Sequence, residues 1–154
     1  MRALGPPPVS VVDRRTLSPA YGSYRGALHR CDLGGLASDR VSRLLTEKRW
    51  LWGSIVQDEL MIAFAVVDLG YASNGFAYAY TPNDGIVAHA SIVGVPRLSR
   101  VKQTSTRRID ARLRDPRLGI RVTHDDLDPQ IEVAVRSSTL ELHATFDTRE
   151  APEP

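Results

Sequence analysis

At 154 residues the chain is long enough for one domain with its own core and short for two. Its 42% hydrophobic and 25% charged content is that of a soluble globular protein, and a net charge of +2 does not by itself call for nucleic acid or a membrane surface. Cys31 is the single cysteine, which excludes an internal disulfide and an all-cysteine metal site.

The opening MRALGPPPVSVVDRR holds no apolar run of signal-peptide length, and the longest apolar run, Leu60 to Val67, is too short for a transmembrane segment. The expected compartment is the cytoplasm. Residues 1–20 read as a flexible lead-in with a proline-rich start, Gly5 to Pro8. Up to Leu36 no period is sustained, and Gly22, Gly26, Gly34 and Gly35 punctuate an N-terminal loop that wraps over the rest. Residues 37–48, ASDRVSRLLTEK, are the one helical stretch: Ser38 can cap it, and Val41, Leu44 and Leu45 recur at helical spacing.

From Arg49 the apolar period changes to two. Strands are expected over Trp50–Val56, Leu60–Tyr71, Phe76–Thr81 and Ile86–Val93, with turns at Gln57 to Glu59, at Asn74-Gly75 and at Pro82 to Gly85. A loop containing Pro96 leads to four more, Arg107–Arg114, Leu118–His124, Gln130–Arg136 and Thr139–Phe146. In the last three, Leu118, Ile120 and Val122, then Ile131, Val133 and Val135, then Leu140, Leu142, Ala144 and Phe146 each share a face, leaving the other face wet. The Leu60 strand is apolar on both faces. The pattern is all-β, an antiparallel barrel or sandwich of about eight strands with one short helix. The single β domain runs over 21–147, followed by a tail over 148–154.

Lys48-Arg49-Trp50, then a strand, then Val66-Val67-Asp68-Leu69-Gly70-Tyr71 and Phe76-Ala77-Tyr78, with Tyr21-Gly22 upstream, resemble the N-terminal signature of domain of unknown function 2804, a bacterial and fungal family. The resemblance covers Tyr21 to Phe146 and is most specific through Tyr80. It implies a lipocalin-like fold related to the two-barrel hydroxyneurosporene synthases and tocopherol cyclases. Family members are longer: the chain is expected to correspond to an N-terminal half, and the glycine- and tryptophan-rich C-terminal motifs are absent from it.

Asp68 stands inside an apolar strand, where a buried carboxylate must be paired or protonated. It reads first as a structural partner of Lys48 or Arg49, and second as a general acid or substrate anchor. Trp50 and Trp52 share one face of their strand, and Phe76, Tyr78 and Tyr80 share one face of theirs. Such aromatics form core, or line an apolar ligand site with hydroxyls as polar contacts. Ala63, Ala65, Ala77 and Ala79 leave room for a ligand or for a closely packed segment.

The basic run Arg97, Arg100, Lys102, Arg107, Arg108, Arg112, Arg114, Arg117 and Arg121 could hold phosphates or another anion, but no nucleic-acid motif or stacking aromatic accompanies it. A solvated sheet face is the preferred reading, and no nucleic-acid partner is expected. His124, Asp125, Asp126 and Asp128 read as a polar turn, and His29 with Cys31 have no defined spacing to a partner. No metal or cofactor motif is present.

These features leave three readings. The first, and preferred, is a barrel domain binding an apolar small molecule, lipid or isoprenoid-like, through Trp50, Trp52, Phe76, Tyr78 and Tyr80. The second is an acid-type enzyme on that fold, using Asp68 and Tyr78 as catalytic acids. The third is an incomplete domain whose apolar face is covered by a second domain or by homo-oligomerisation.

Overall fold

The period-two pattern becomes nine strands in a computed structural model that describes residues 4–13, 15–26, 36, 39–104, 108–125 and 127–149. In chain order they are β1 (Arg49–Gln57), β2 (Leu60–Asp68), β3 (Ser73–Thr81), β4 (Gly85–Gly94), β5 (Ser99–Gln103), β6 (Ile109–Asp115), β7 (Leu118–Asp125), β8 (Asp128–Ser137) and β9 (Glu141–Asp147), with helix α1 (Arg40–Thr46) ahead of them. Strands β1-β2-β3-β4 form one antiparallel sheet and β5-β6-β7-β8-β9 a second. Every pairing is between chain neighbours, so both sheets are open meanders. Of the two expected architectures this is the sandwich; no barrel closes.

The sheets share one core. Phe64 and Val66 of β2, Ala77 of β3 and Ile92 of β4 meet Val101 of β5, Ala111 and Leu113 of β6, Leu118, Ile120 and Val122 of β7, and Val133 and Val135 of β8. These are the alternate residues of each strand, as a period of two requires. Two polar contacts stitch the sheets together inside this core. The backbone N–H of Ser99 donates to Ser73 Oγ at 2.9 Å, and Ser99 Oγ donates to the Val67 carbonyl at 2.7 Å. Both serines are buried, so each bond removes a cost that an unpaired group would carry.

The expected turn at Asn74-Gly75 is not there. Both residues lie within β3, and the chain reverses over Leu69 to Ala72, with Gly70 at φ 78°. Gly75 is glycine for a different reason: a Cβ there would stand 2.6 Å from Leu113 Cδ2 and 2.9 Å from the Ala65 carbonyl oxygen. Leu113 of the second sheet occupies the space a side chain would fill. The Pro82–Gly85 hairpin forms as expected, with Gly85 at φ 74° and Thr81 Oγ1 bonded to Asp84.

Strand β5 falls where a loop is expected. Only Ser99 and Val101 of its five residues are buried, too few to register as a period among charged neighbours. Helix α1 is shorter than residues 37–48. Asp39 caps it through the Ser42 N–H at 2.7 Å, while Ser38, His29, Cys31, Arg107 and Asp126 lie outside the described residues. Val41, Leu44 and Leu45 are half exposed or more. The helix is held by its C-terminal end, where Lys48 Nζ donates to the carbonyls of Leu45 (2.8 Å) and Leu69 (2.9 Å) and lies 4.0 Å from the Tyr71 ring centre. The N-terminal segment makes its own bridges, Gly5 to Tyr24 and Val12 to Pro19, and buries Val12. At the other end Thr148 is fastened to the Pro129 carbonyl by its N–H and hydroxyl.

Gly75→Ala is expected to destabilise the fold by about 1–3 kcal/mol, because neither Leu113 nor the β2 backbone has room to move. Ser73→Ala leaves the buried Ser99 N–H without its acceptor and is expected to cost about 1–3 kcal/mol. Urea unfolding of both variants measures these directly; an unchanged midpoint for either removes the seam described above.

Candidate functional site

The two-residue turn Asp58-Glu59 fixes which side chains of β1 and β2 share a face, because Gln57 pairs with Leu60. Leu51 packs on the core, so Trp50 and Trp52 face outward; Ala77 is core, so Phe76, Tyr78 and Tyr80 also face outward. All five aromatics expected at a site therefore stand on one surface, the outer face of the first sheet. Trp52, Ala65 and Phe76 are in cross-strand register, and Ser54, Ala63 and Tyr78 form the next row. Ala63 and Ala65 are fully covered even though they face away from the core. Their small side chains keep β2 low between the rings carried by β1 and β3.

The Phe76 and Tyr78 rings stack with centroids 6.1 Å apart and 16° between planes. Trp50 and Trp52 remain 68% and 58% exposed. Among the described residues, this face carries both tryptophans of the chain exposed, as an apolar platform. It faces away from the shared core and so does not line the space between the sheets.

Asp68 lies at the end of β2, on the inward-facing side of the strand that Phe64 and Val66 continue, so it does not share a face with Tyr78. Its Oδ1 accepts the Gly70 N–H at 3.0 Å, which shapes the β2–β3 turn. The partners expected for it are engaged elsewhere. Lys48 binds carbonyls, and Arg49, although opposite Asp68 in register, bonds to Glu47 and to the Val101 carbonyl. The ion pair expected for Asp68 does not form.

Of the basic run, Arg100, Lys102, Arg112, Arg114 and Arg121 lie on the outer face of the second sheet. Arg112 of β6 stands opposite Arg100 of β5 on one side and Arg121 of β7 on the other. Arginines at turns carry their own carboxylates, Arg117 with Asp115 and Arg149 with Asp147. The side-chain hydrogen bond from Arg117 holds the Asp115 carboxyl below its ordinary range, and the equivalent bond from Arg149 lowers Asp147 to about 2. His124, Asp125 and Asp128 form a polar end to this face, and among the described residues no His, Cys, Asp or Glu cluster fits a metal. No helix among them is long and apolar enough to cross a membrane.

The family model described as Domain of unknown function (DUF2804) matches residues 8–154. The chain belongs to that family. No curated protein and no solved structure matches it. The family match begins upstream of Tyr21 and takes in the Val12–Pro19 bridge as well as both sheets.

Sequence reasoning placed the family's aromatic residues on shared faces but did not say that the faces coincide or that they point outward. It also missed the cross-strand stack of arginines. The Asp115-Pro116 turn carried the signal: closing β6 on β7 there sets Arg112 against Arg121. For Asp68, an asparagine retains the oxygen that accepts the Gly70 N–H. Asp68→Asn is expected to stay within about 0.5 kcal/mol of the parent, while Asp68→Ala is expected to lose about 1 kcal/mol. Equal losses for both, read by thermal unfolding, point instead to a role for the negative charge.

Proposed function

We propose that this domain binds an apolar small molecule, lipid or isoprenoid-like, on the outer face of β1, β2 and β3. The observation that carries the reading is the exposure of Trp50 and Trp52 beside the stacked Phe76 and Tyr78. Covering a large apolar side chain contributes about 1.5–3 kcal/mol, so several rings together supply the affinity of a small-molecule site. The low alanine strand beneath makes the surface flat enough for an extended chain or a fused ring to lie across it. Tyr78 and Tyr80 supply hydroxyls at one end, suited to a ligand with a single polar group. Asp68 and Tyr78 stand on opposite faces, so binding rests on the aromatics alone, and catalysis by that pair has no shared surface to act on.

A second reading has its own observation. Val56 and Val93, 70% and 75% exposed, extend the apolar surface past the aromatics on both edge strands. A surface of that breadth also suits a second domain or a second copy of the chain.

Both tryptophans sit on the face in question, so intrinsic fluorescence reports on it without a label. Farnesol or oleate is expected to shift the emission to the blue saturably, and Trp52→Ala is expected to weaken binding about tenfold, equivalent to about 1.4 kcal/mol. Native mass spectrometry before and after mild organic extraction is expected to show a removable mass on protein purified from cells. A blue shift that depends on protein concentration alone, with a dimer in the mass spectrum, selects the second reading. No shift under either condition sinks both.

A further inference from the structure

We propose that the outer face of the second sheet is a binding site for a compact, multiply charged phosphate ester of the soluble diphosphate class. The observation is a set of uncompensated arginines in cross-strand contact. Arg100, Arg112 and Arg121 are directly opposite one another on β5, β6 and β7, and in the next row Arg114 and Arg136 flank Gly119. Like charges set opposite on adjacent strands oppose folding. Among the described residues none of these side chains reaches a carboxylate within ion-pair distance, whereas Arg49, Arg108, Arg117 and Arg149 each do. The acidic residues near the cluster are Asp110 and Glu132, in the row beside Arg112 and Arg121, and Glu141 opposite Arg136, and among the described residues none closes a salt bridge with it.

The surface there is concave. A hollow of about 370 Å³ is bounded by Arg112, Arg114, Arg121, Arg136 and Asp110, with Gly119 as its floor. A Cβ at Gly119 would have no atom nearer than 3.9 Å, so the glycine keeps the centre open without close packing to explain it. The volume is that of a small-molecule site. Guanidinium groups are suited to it because each presents paired N–H donors to phosphate oxygens.

The footprint selects a compact ligand. From strand spacing, the cluster spans about 14 Å across the sheet and about 7 Å along it. Along the strands it ends at Asp110, Glu132, Asp125 and Asp128, which would repel a polyanion that continued in that direction. Among the described residues this face carries no Phe, Tyr or Trp for base stacking, its one ring being His143 on the edge strand β9, and its outward residues are polar, charged or small, with none apolar and large enough to insert among lipid chains. The site lies on the opposite side of the shared core from the aromatic platform and does not depend on what binds there.

The test is calorimetric titration of inorganic pyrophosphate into the full chain, with sodium chloride at matched ionic strength as the control. The parent and an Arg112→Gln/Arg121→Gln double variant are compared. One saturable site is expected in the parent, weakened at least tenfold in the double variant, with the tryptophan response to farnesol unchanged. The double variant is also expected to melt at or above the parent temperature in low salt without ligand, because it removes repulsion. Pyrophosphate heats no larger than those of chloride, or equal binding by the variant, overturn the proposal. So does capture by vesicles of phosphatidylserine and phosphatidylcholine when pyrophosphate gives no binding, since the anion would then be a membrane surface. A double variant that melts well below the parent assigns the arginines a structural role and overturns it too.

Discussion

The structure depends on how one sheet is fastened to the other. Each meander satisfies its own ladder hydrogen bonds, so strand pairing alone leaves two independent sheets, each with one apolar face. What joins them is a seam of shape and polarity: Leu113 seated over Gly75, and Ser99 bonded to both Ser73 and the Val67 carbonyl. The apolar contacts fill the interior, while the serine bonds are directional and set the register of β5 against β2 and β3. An all-hydrophobic seam would tolerate sliding of one sheet over the other; two buried hydroxyls with single partners do not.

That seam decides where function can reside. Among the described residues, the inward side chains of the two sheets meet in one buried cluster. The two outer faces differ in kind. The first sheet turns aromatic side chains to solvent, and the second turns arginines. Neither is what stability alone would choose, since water-exposed indoles and opposed guanidiniums each cost free energy relative to ordinary polar residues. Departures of this kind from local consistency are where binding sites are found.

Period and turn chemistry made most of the fold legible. Eight of the strands, their antiparallel order and the barrel-or-sandwich class follow from alternation and from turns such as Pro82 to Gly85. The failures have physical causes. Glycine marks both a turn and a close approach, and at Asn74-Gly75 the approach of Leu113 from a distant strand is invisible to local reading. Strand β5 is bound by the seam rather than by its own period, so Ser99 carries more of its stability than hydrophobic patterning would show. The inward and outward sides of β2 were ambiguous because both are apolar. Volume was the missing cue: Phe64 and Val66 fill the core, while Ala63 and Ala65 leave the outer face low. Asp68 drew attention as a charge in an apolar strand, yet its carboxylate acts on the backbone two residues on.

The two outer faces are neighbours along the chain even though they are opposite in space. Leu113 lies between Arg112 and Arg114, and the glycine it covers precedes Phe76. A displacement of β6 would thus press on the strand that carries the aromatic stack. Proximity of this sort is not coupling, which requires an element with two arrangements that both ligands bias. The seam offers no second arrangement: Gly75 admits Leu113 and nothing larger beside it, and each serine has one geometry in which its bond is made. A core this constrained transmits little, so a ligand on the proposed aromatic site is not expected to alter the proposed basic one.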